Sequence, residues 1–207
     1  MSLQRYYSRA RNPKGFWGTL IIRSMNSKRH AALPEWVFAE FQPGRNAQVL
    51  DVGCGGGANV ARLLTMCPDG HVTGLDFSTM CLEQAQDLNY VAVVDKRCLI
   101  VGGNVAQLPL AKDRFDLVTA FETVYFWPSL ERGLEEIYRV TKPGGTCLIA
   151  NELDGLDPAY RTMESSVGML VYTIDEVRDA LAKAGFTNIH SRHDEERHFI
   201  CVTATKP

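Results

Sequence analysis

The chain of 207 residues contains no apolar run near the roughly 20 residues that a helical membrane span needs. It also lacks paired cysteines. Cys54, Cys67, Cys81, Cys98, Cys147 and Cys201 include no C-x-x-C spacing and fall mostly within apolar stretches. Buried free thiols in a reducing compartment are expected, not disulfides or a zinc site. His190, His193 and His198 cluster in a strand-like stretch without partner cysteines, so no metal is expected there. The apolar segment 16–22 is short and stops at Arg23, a poor signal peptide, and a cytoplasmic location is the expectation. No repeat and no low-complexity tract appears. Charge of neither sign dominates, with 22 Lys and Arg against 24 Asp and Glu, a net of -2. The balance is uneven along the chain, however. Residues 1–45 hold eight basic side chains against Glu35 and Glu40, leaving an acidic remainder. A basic arm on an acidic body suits steering of an anionic ligand or packing on the body or a sister subunit. Without a wider basic surface, nucleic acid is disfavoured as a partner.

What is present is alternation. Gln48 to Val52 reads as an apolar strand, followed by glycines and then Val60, Leu63, Leu64 and Cys67 at helical spacing. Val72 to Leu75 is a second strand, followed by a helix with Cys81, Ala85, Leu88 and Ala92 on its inner face. Cys98 to Val101 and Phe115 to Phe121 are the third and fourth strands, the latter followed by a helix facing Leu130, Leu134, Ile137 and Tyr138 inward. Lys142-Pro143-Gly144-Gly145 turns that helix into a fifth strand, Thr146 to Ala150. Thr173 and Glu176 form a capping box for a helix carrying Val177, Leu181 and Ala184. Strands Thr187 to Arg192 and His198 to Thr205 are joined by too short a link for a parallel crossover, so they form an antiparallel hairpin. The expected fold is α/β, doubly wound and mostly parallel, over residues 47–207. Residues 1–46 are expected to form a helical cap or arm, with Leu33, Trp36, Val37 and Phe41 on the packed face and Pro34 in the first turn. The irregular stretch 153–169 interrupts the last crossover above the strand ends and is expected to act as a lid.

The chemistry centres on Asp51-Val52-Gly53-Cys54-Gly55-Gly56-Gly57-Ala58. Gly53-x-Gly55-x-x-Ala58 formally satisfies a dinucleotide fingerprint, with Asp76 at the spacing of a ribose-binding acid. Asp51 argues against a dinucleotide, because a carboxylate at the loop mouth repels pyrophosphate. It suits S-adenosylmethionine, which carries an ammonium and a sulfonium but no phosphate. The glycines let the backbone pass close beneath that ligand. No Lys-Ser/Thr follows them, so a P-loop is excluded. Asp76 is placed to accept the ribose hydroxyls, Phe77 to cover an adenine face, and Asn104 to accept from the adenine amino group or to serve as a turn residue.

The segments VLDVGCGGG, GLDFS, GNVAQLP, FDLVTAFETVYFWP and EIYRVTKPGGTCLIANE resemble the successive motifs of class I S-adenosylmethionine-dependent methyltransferases. The resemblance covers roughly residues 47–207. It implies a seven-stranded sheet of order 3-2-1-4-5-7-6 with the seventh strand antiparallel, in agreement with the hairpin. It also implies that Asp51, Gly53 and Gly55 contact the methionine moiety, Asp76 and Phe77 the adenosine, and Asn104 and Val105 the adenine. Cys54 between the glycines and Phe121 at the end of the fourth strand complete the expected cofactor contacts. Asn104 departs from the family, in which Asp is frequent, though amide and acid both accept the same hydrogen bond.

Methyl transfer from a sulfonium needs positioning and exclusion of water, and a base only where the acceptor loses a proton. Candidates for a catalytic role are Glu122, Tyr125 and His30. Tyr125, Phe126 and Trp127 fit either an aromatic wall or core packing. The Asp/Asn/Ser-Pro-Pro-Tyr/Phe motif of many amino-methylating enzymes is absent, since Phe121-Glu122-Thr123-Val124 stands there. A small-molecule acceptor is therefore favoured, with S-adenosylhomocysteine as the second product. A non-catalytic S-adenosylmethionine-binding regulator, a nucleic-acid or protein methyltransferase and, least, an NAD-dependent dehydrogenase are the rival readings. A homodimer is left open.

Overall fold

The computed structural model describes residues 31–156 and 168–207, together with Pro13, Gly15, Gly18 and Ile22. Its centre is a seven-stranded sheet. In chain order the strands are β1 (Gln48–Val52), β2 (His71–Asp76), β3 (Cys98–Gly102), β4 (Phe115–Phe121), β5 (Thr141–Asn151), β6 (Thr187–Asp194) and β7 (Phe199–Thr205). Their spatial order is β3-β2-β1-β4-β5-β7-β6. Strands β1 to β5 run parallel, whereas β7 is antiparallel to both β5 and β6. The expected order and the terminal hairpin are both present.

Helices cover the two faces. Those that lie wholly among the described residues are α1 (Ala32–Phe38), α2 (Ala58–Met66), α3 (Thr79–Leu88), α4 (Tyr90–Val94), α5 (Leu130–Val140) and α6 (Ile174–Lys183). One core gathers Leu134, Ile137, Val177 and Leu181 of α5 and α6 against Val118, Ile149 and Val202. The other sets Leu33 and Val37 of α1 and Val60 and Leu63 of α2 against Val49, Leu117 and Leu148. This alternation of faces along each strand is what a doubly covered parallel sheet requires. The capping box of Thr173 and Glu176 starts α6 as expected. All six cysteines are free and buried.

Several element details differ from expectation. The segment after β2 is two helices, and Leu88 is 52% exposed instead of inward. Its place is taken by buried Asn89, which follows Cys81 and Ala85 at i, i+4, i+8 and donates from Nδ2 to Gly57 O (3.1 Å) and Ala85 O (2.9 Å). Strand β5 starts at Thr141, five residues early, because a register irregularity opposite Phe115–Leu117 lets the Lys142–Gly145 turn stay within the ladder. Helix α1 ends at Phe38, so Phe41 lies beyond it; Trp36 and Phe41 both pack against the core as expected, and the Arg192 guanidinium stands 4.3 Å from the Trp36 ring centroid. Tyr138 is half-buried and meets Phe186 edge-on.

Candidate functional site

The carboxyl ends of β1, β2 and β4 meet around the glycine loop. Gly53 N and Cys54 N both donate to Leu75 O, at 2.7 and 2.9 Å, which folds the loop back against β2. That turn needs positive φ at Gly53 (+72°), Gly55 (+52°) and Gly57 (+85°). Gly53 is also sterically obligatory, since a Cβ there would stand 2.1 Å from Thr123 Oγ1. At Gly55 a Cβ would meet nothing within 4 Å, so the loop opens on space at that point.

Asp51 closes β1, pairs in register with Gly74 and Thr119, and is almost fully buried. Its Oδ1 accepts a 2.7 Å hydrogen bond from Thr119 Oγ1. Burial pushes the carboxyl up to about 7, against the Thr119 bond and with help from the nearby Asp76 charge. Asp76 closes β2, where Oδ2 accepts from Gly55 N (3.0 Å) and Oδ1 from Ser78 N (2.9 Å). Burial likewise holds its carboxyl above the usual carboxylate range, opposed by the Ser78, Gly55 and Phe77 amides. Phe77 beside it is 54% exposed, an aromatic face left open at the mouth. Cys54 is buried within the loop and its thiol is raised well above its ordinary value by burial, then by Asp76 and Asp51.

Asn104 follows β3, and its Oδ1 accepts from Ala106 N (2.9 Å), the geometry of a turn residue with one acceptor lone pair still available. Val105 is buried. The loop beyond is pinned to α5: Leu108 N donates to Glu136 Oε2, and Arg139 bonds both Leu108 O and Leu110 O. Phe121, at the end of β4, is buried against Phe38 with ring centroids 5.5 Å apart.

A second cluster sits at the ends of β4 and β5. Glu122 has φ +56°, an uncommon conformation for a non-glycine residue. Its Oε1 accepts from Tyr125 Oη (2.9 Å) and from Glu152 N. Burial, reinforced by the neighbouring Glu152 charge, pushes its carboxyl up to about 8. Tyr125 is 1% exposed and its hydroxyl also accepts from Leu153 N, so this residue, like Trp127, packs in the core; Trp127 Nε1 donates to Thr123 Oγ1. Asn151, at the end of β5, is fully buried, and neither its Nδ2 nor its Oδ1 has a partner among the described residues. Farther out, buried Asp154 Oδ2 stands 3.0 Å from His198 Nδ1 and 3.2 Å from His193 Nε2. Burial works to raise Asp154, but the Leu156 amide and the two imidazoles hold it below the usual carboxylate range.

The structure thus brings Asp51, Gly53, Cys54, Gly55, Asp76 and Phe77 together, with Asn104 and Val105 beyond β3, Phe121 at the end of β4 and Glu122 just past it. His30 lies outside the described residues, as does most of the stretch 153–169. Thr119, Thr123, Asn89, Asn151 and Asp154 were missed. Asn89 had a legible signal, a polar residue at the inward helical spacing; the others depend on contacts between distant strands.

Residues 50–149 match the family model described as a methyltransferase domain. The chain is 32% identical over 145 residues to the 27-O-demethylrifamycin SV methyltransferase of Amycolatopsis mediterranei, covering 67% of this chain and 53% of that protein. It is 31% identical over 154 residues to the sterol 24-C-methyltransferase of Kluyveromyces lactis, covering 68% of this chain and 40% of that protein. The chain belongs to the class I S-adenosylmethionine-dependent methyltransferase family. It spans about half or less of the length of these two relatives. In fold the chain is similar, with a TM-score of 0.80 at 19% identity over 100% of both chains, to a methyltransferase in complex with the Haloferax volcanii Trm112 methyltransferase activator. S-adenosylmethionine is the cofactor of the family, and the residues present fit it: an open glycine cradle at Gly55, one buried acid on each side of it, and an exposed aromatic ring.

Proposed function

We propose that this methyltransferase binds S-adenosylmethionine across the ends of β1 and β2 and methylates a small-molecule acceptor held at the ends of β4 and β5. The observation that carries the reading is the pair of buried acids, Asp51 and Asp76, flanking a loop whose Gly53 and Gly57 admit no side chain without a clash. Bound there, the cofactor supplies an electrophilic methyl group on a sulfonium. Asp51 pairs with the ligand's ammonium, and Asp76 exchanges its hold on the Gly55 amide for the ribose hydroxyls. Phe77 covers the adenine, with Asn104 and Val105 at its edge. Cys54 and Phe121 line the loop and the floor.

Glu122 faces the acceptor. Its Oε1 is held by Tyr125 and the Glu152 amide, which leaves Oε2 to meet a nucleophile and take its proton. Tyr125 acts through Glu122 as a positioning residue. The unspent amide of Asn151, in the neighbouring strand, supports an acceptor that carries hydrogen-bonding groups. Residues 1–46 cap this domain: buried Gly18 lies so near α3 that a Cβ on it would stand 2.9 Å from Met80 Sδ, which supports an arm over the cofactor mouth. His30 in that arm and the stretch 153–169 are the further candidates for closing the site. No helix among the described residues is long and apolar enough to cross a membrane, in keeping with the cytoplasmic location proposed here. A protein partner is also proposed, on the likeness to a methyltransferase that stands in complex with an activator.

Parallel calorimetric titration with S-adenosylmethionine, S-adenosylhomocysteine and NAD tests the cofactor, and release of S-adenosylhomocysteine with a panel of small hydroxyl, amine and thiol acceptors tests transfer. Binding of the first two ligands and turnover on the panel are expected. NAD binding alone would overturn the reading. Cofactor binding with turnover only on nucleic acid or protein would replace the acceptor class, and binding without any turnover would favour a regulator.

A further inference from the structure

The glycine loop commits its own donors to holding its shape. Gly53 N and Cys54 N both donate to Leu75 O, Gly57 N donates to Cys54 O, and Gly55 N to Asp76 Oδ2. Thr119, the hydroxyl beside Asp51, gives its proton to Asp51 Oδ1. Thr123 differs. Its Oγ1 accepts from Trp127 Nε1 (3.3 Å), and a hydroxyl bonded in this way keeps its own proton to donate, for which no acceptor stands among the described residues. The side chain lies on the loop itself: a Cβ on Gly53 would stand 2.1 Å from Thr123 Oγ1 and 2.6 Å from Thr123 Cβ. The indole that steers this hydroxyl is fixed in turn. Trp127 is buried, and its ring fills a notch on α5, where a Cβ on Gly133 would stand 2.5 Å from Trp127 Cε3. Half-buried Thr123 thus carries one oriented, uncommitted donor above Gly53.

We infer that Thr123 is the hydrogen-bond donor to the methionine carboxylate of bound S-adenosylmethionine, and that Trp127 is its positioning residue. This rests on the cofactor reading above. In that reading Asp51 holds the ammonium. The carboxylate hangs from the same carbon, with its own carbon only about 2.5 Å from the ammonium nitrogen. It therefore lies within a few ångströms of Asp51 and near Asp76, two buried acids that repel it. An anion in such a place needs a donor facing it. The amides of Gly53, Cys54 and Gly55 are committed, which leaves the hydroxyl that stands on Gly53, two residues along from Asp51. By occupying one lone pair of Oγ1, the Trp127 N–H restricts the Thr123 O–H to directions away from the indole. The two bonds in series, indole to hydroxyl and hydroxyl to carboxylate, also polarise each other. Thr123 follows Glu122 directly, so the contact ties the methionine end of the cofactor to the residue that faces the acceptor.

The test is a cycle between residue and ligand. The native chain, T123V, T123S and W127F are each titrated with S-adenosylmethionine and with decarboxylated S-adenosylmethionine, which keeps the ammonium, the sulfonium and the adenosine. T123V preserves the side-chain shape and removes the hydroxyl. It should weaken S-adenosylmethionine by about 10-fold or more, as loss of a hydrogen bond to a charged group does, and leave the decarboxylated ligand within about twofold of native. T123S should restore S-adenosylmethionine binding, and W127F should give a smaller loss confined to the same ligand. Native affinity for the decarboxylated ligand also shows that a variant is folded, and T123A repeats the comparison should valine disturb the turn. Equal weakening of both ligands, native S-adenosylmethionine affinity in T123V, or failure of T123S to restore it would overturn the inference. A native chain that binds neither ligand would overturn the cofactor reading and this assignment with it, a result distinct from the other three.

Discussion

Replacing Asp51 by Asn gives the sharpest view of what the glycine loop is built to hold. Burial pushes this carboxyl up to about 7, roughly 3 pH units above its ordinary 3.8. At about 1.4 kcal/mol for each pH unit, carrying the ionised group costs the empty fold about 4 kcal/mol above pH 7. The sign follows from proton binding: between pH 3.8 and 7 the folded chain holds a proton that the unfolded chain has released, so stability falls as pH rises through this window. Asn keeps the Thr119 Oγ1 bond without the charge. D51N should therefore stabilise the ligand-free protein at pH 8, by up to about 4 kcal/mol, with little gain at pH 4. Urea melts at the two values read this directly. The same substitution removes the anion that pairs with the cofactor's ammonium, worth about 1.5–3 kcal/mol, or roughly 10- to 150-fold in affinity. In the native protein S-adenosylmethionine must compete with a proton below pH 7, so its affinity should weaken up to tenfold per pH unit from 7 to 5, and D51N should abolish this slope. A D51N protein that is less stable at pH 8, or that keeps the native affinity and slope, would refute the assignment.

Asp76→Ala should lower S-adenosylmethionine affinity by about 1–3 kcal/mol in the same titration, since the ribose loses its acceptor and the Gly55 amide loses its partner. Gly53→Ala places a Cβ 2.1 Å from Thr123 Oγ1 at a φ of +72°. Its melting point should drop by the equivalent of at least about 1–3 kcal/mol, with cofactor binding lost in parallel. Glu122→Gln retains an acceptor for Tyr125 and the Glu152 amide without a charge to bury, so by the argument made for D51N the ligand-free fold should gain stability at pH 8, whereas turnover should fall about 100-fold or more if the carboxyl takes the acceptor's proton. In the native enzyme that role predicts a rate rising with pH through about 8, an inflection absent from the variant.

The sheet was legible because its signals are local. Each strand is a short apolar run closed by a turn, and the five-residue link His193 to Arg197 leaves only a hairpin. The cofactor half of the site was legible for the same reason: Asp51 and the glycines are contiguous, and Asp76 ends the next strand. Misreadings arose where two local rules competed. Leu88 and Asn89 both fit an inward helical position, and apolar character favours the leucine. The amide won because its Nδ2 satisfies Gly57 O at the loop's last glycine, and Leu88 was turned outward beside α4. Tyr125 read equally well as wall or core; the Glu122 carboxyl and the Leu153 amide supply the buried partners that fix it in the core.

The acceptor half is of another kind, and its illegibility has a structural cause. Glu122 is joined to Glu152 across 30 residues, and Asp154 to His193 and His198 across 39 and 44. No spacing rule links such positions, because their proximity comes from β4 lying beside β5 and from β7 inserting between β5 and β6. The same topology explains why the two halves differ electrostatically. Asp51 and Asp76 sit at the ends of interior strands, where neighbouring elements supply Thr119, Gly55 and Ser78 as ready donors. Past Ala150 the parallel ladder from β4 stops while the antiparallel pairing with β7 on the other edge runs one residue further, and there Asn151 is left with its amide unmatched among the described residues. A fixed cofactor requires a fixed set of donors, which a local motif encodes. Recognition of a variable acceptor is assigned to strand ends and crossovers, whose sequence can change without disturbing that motif.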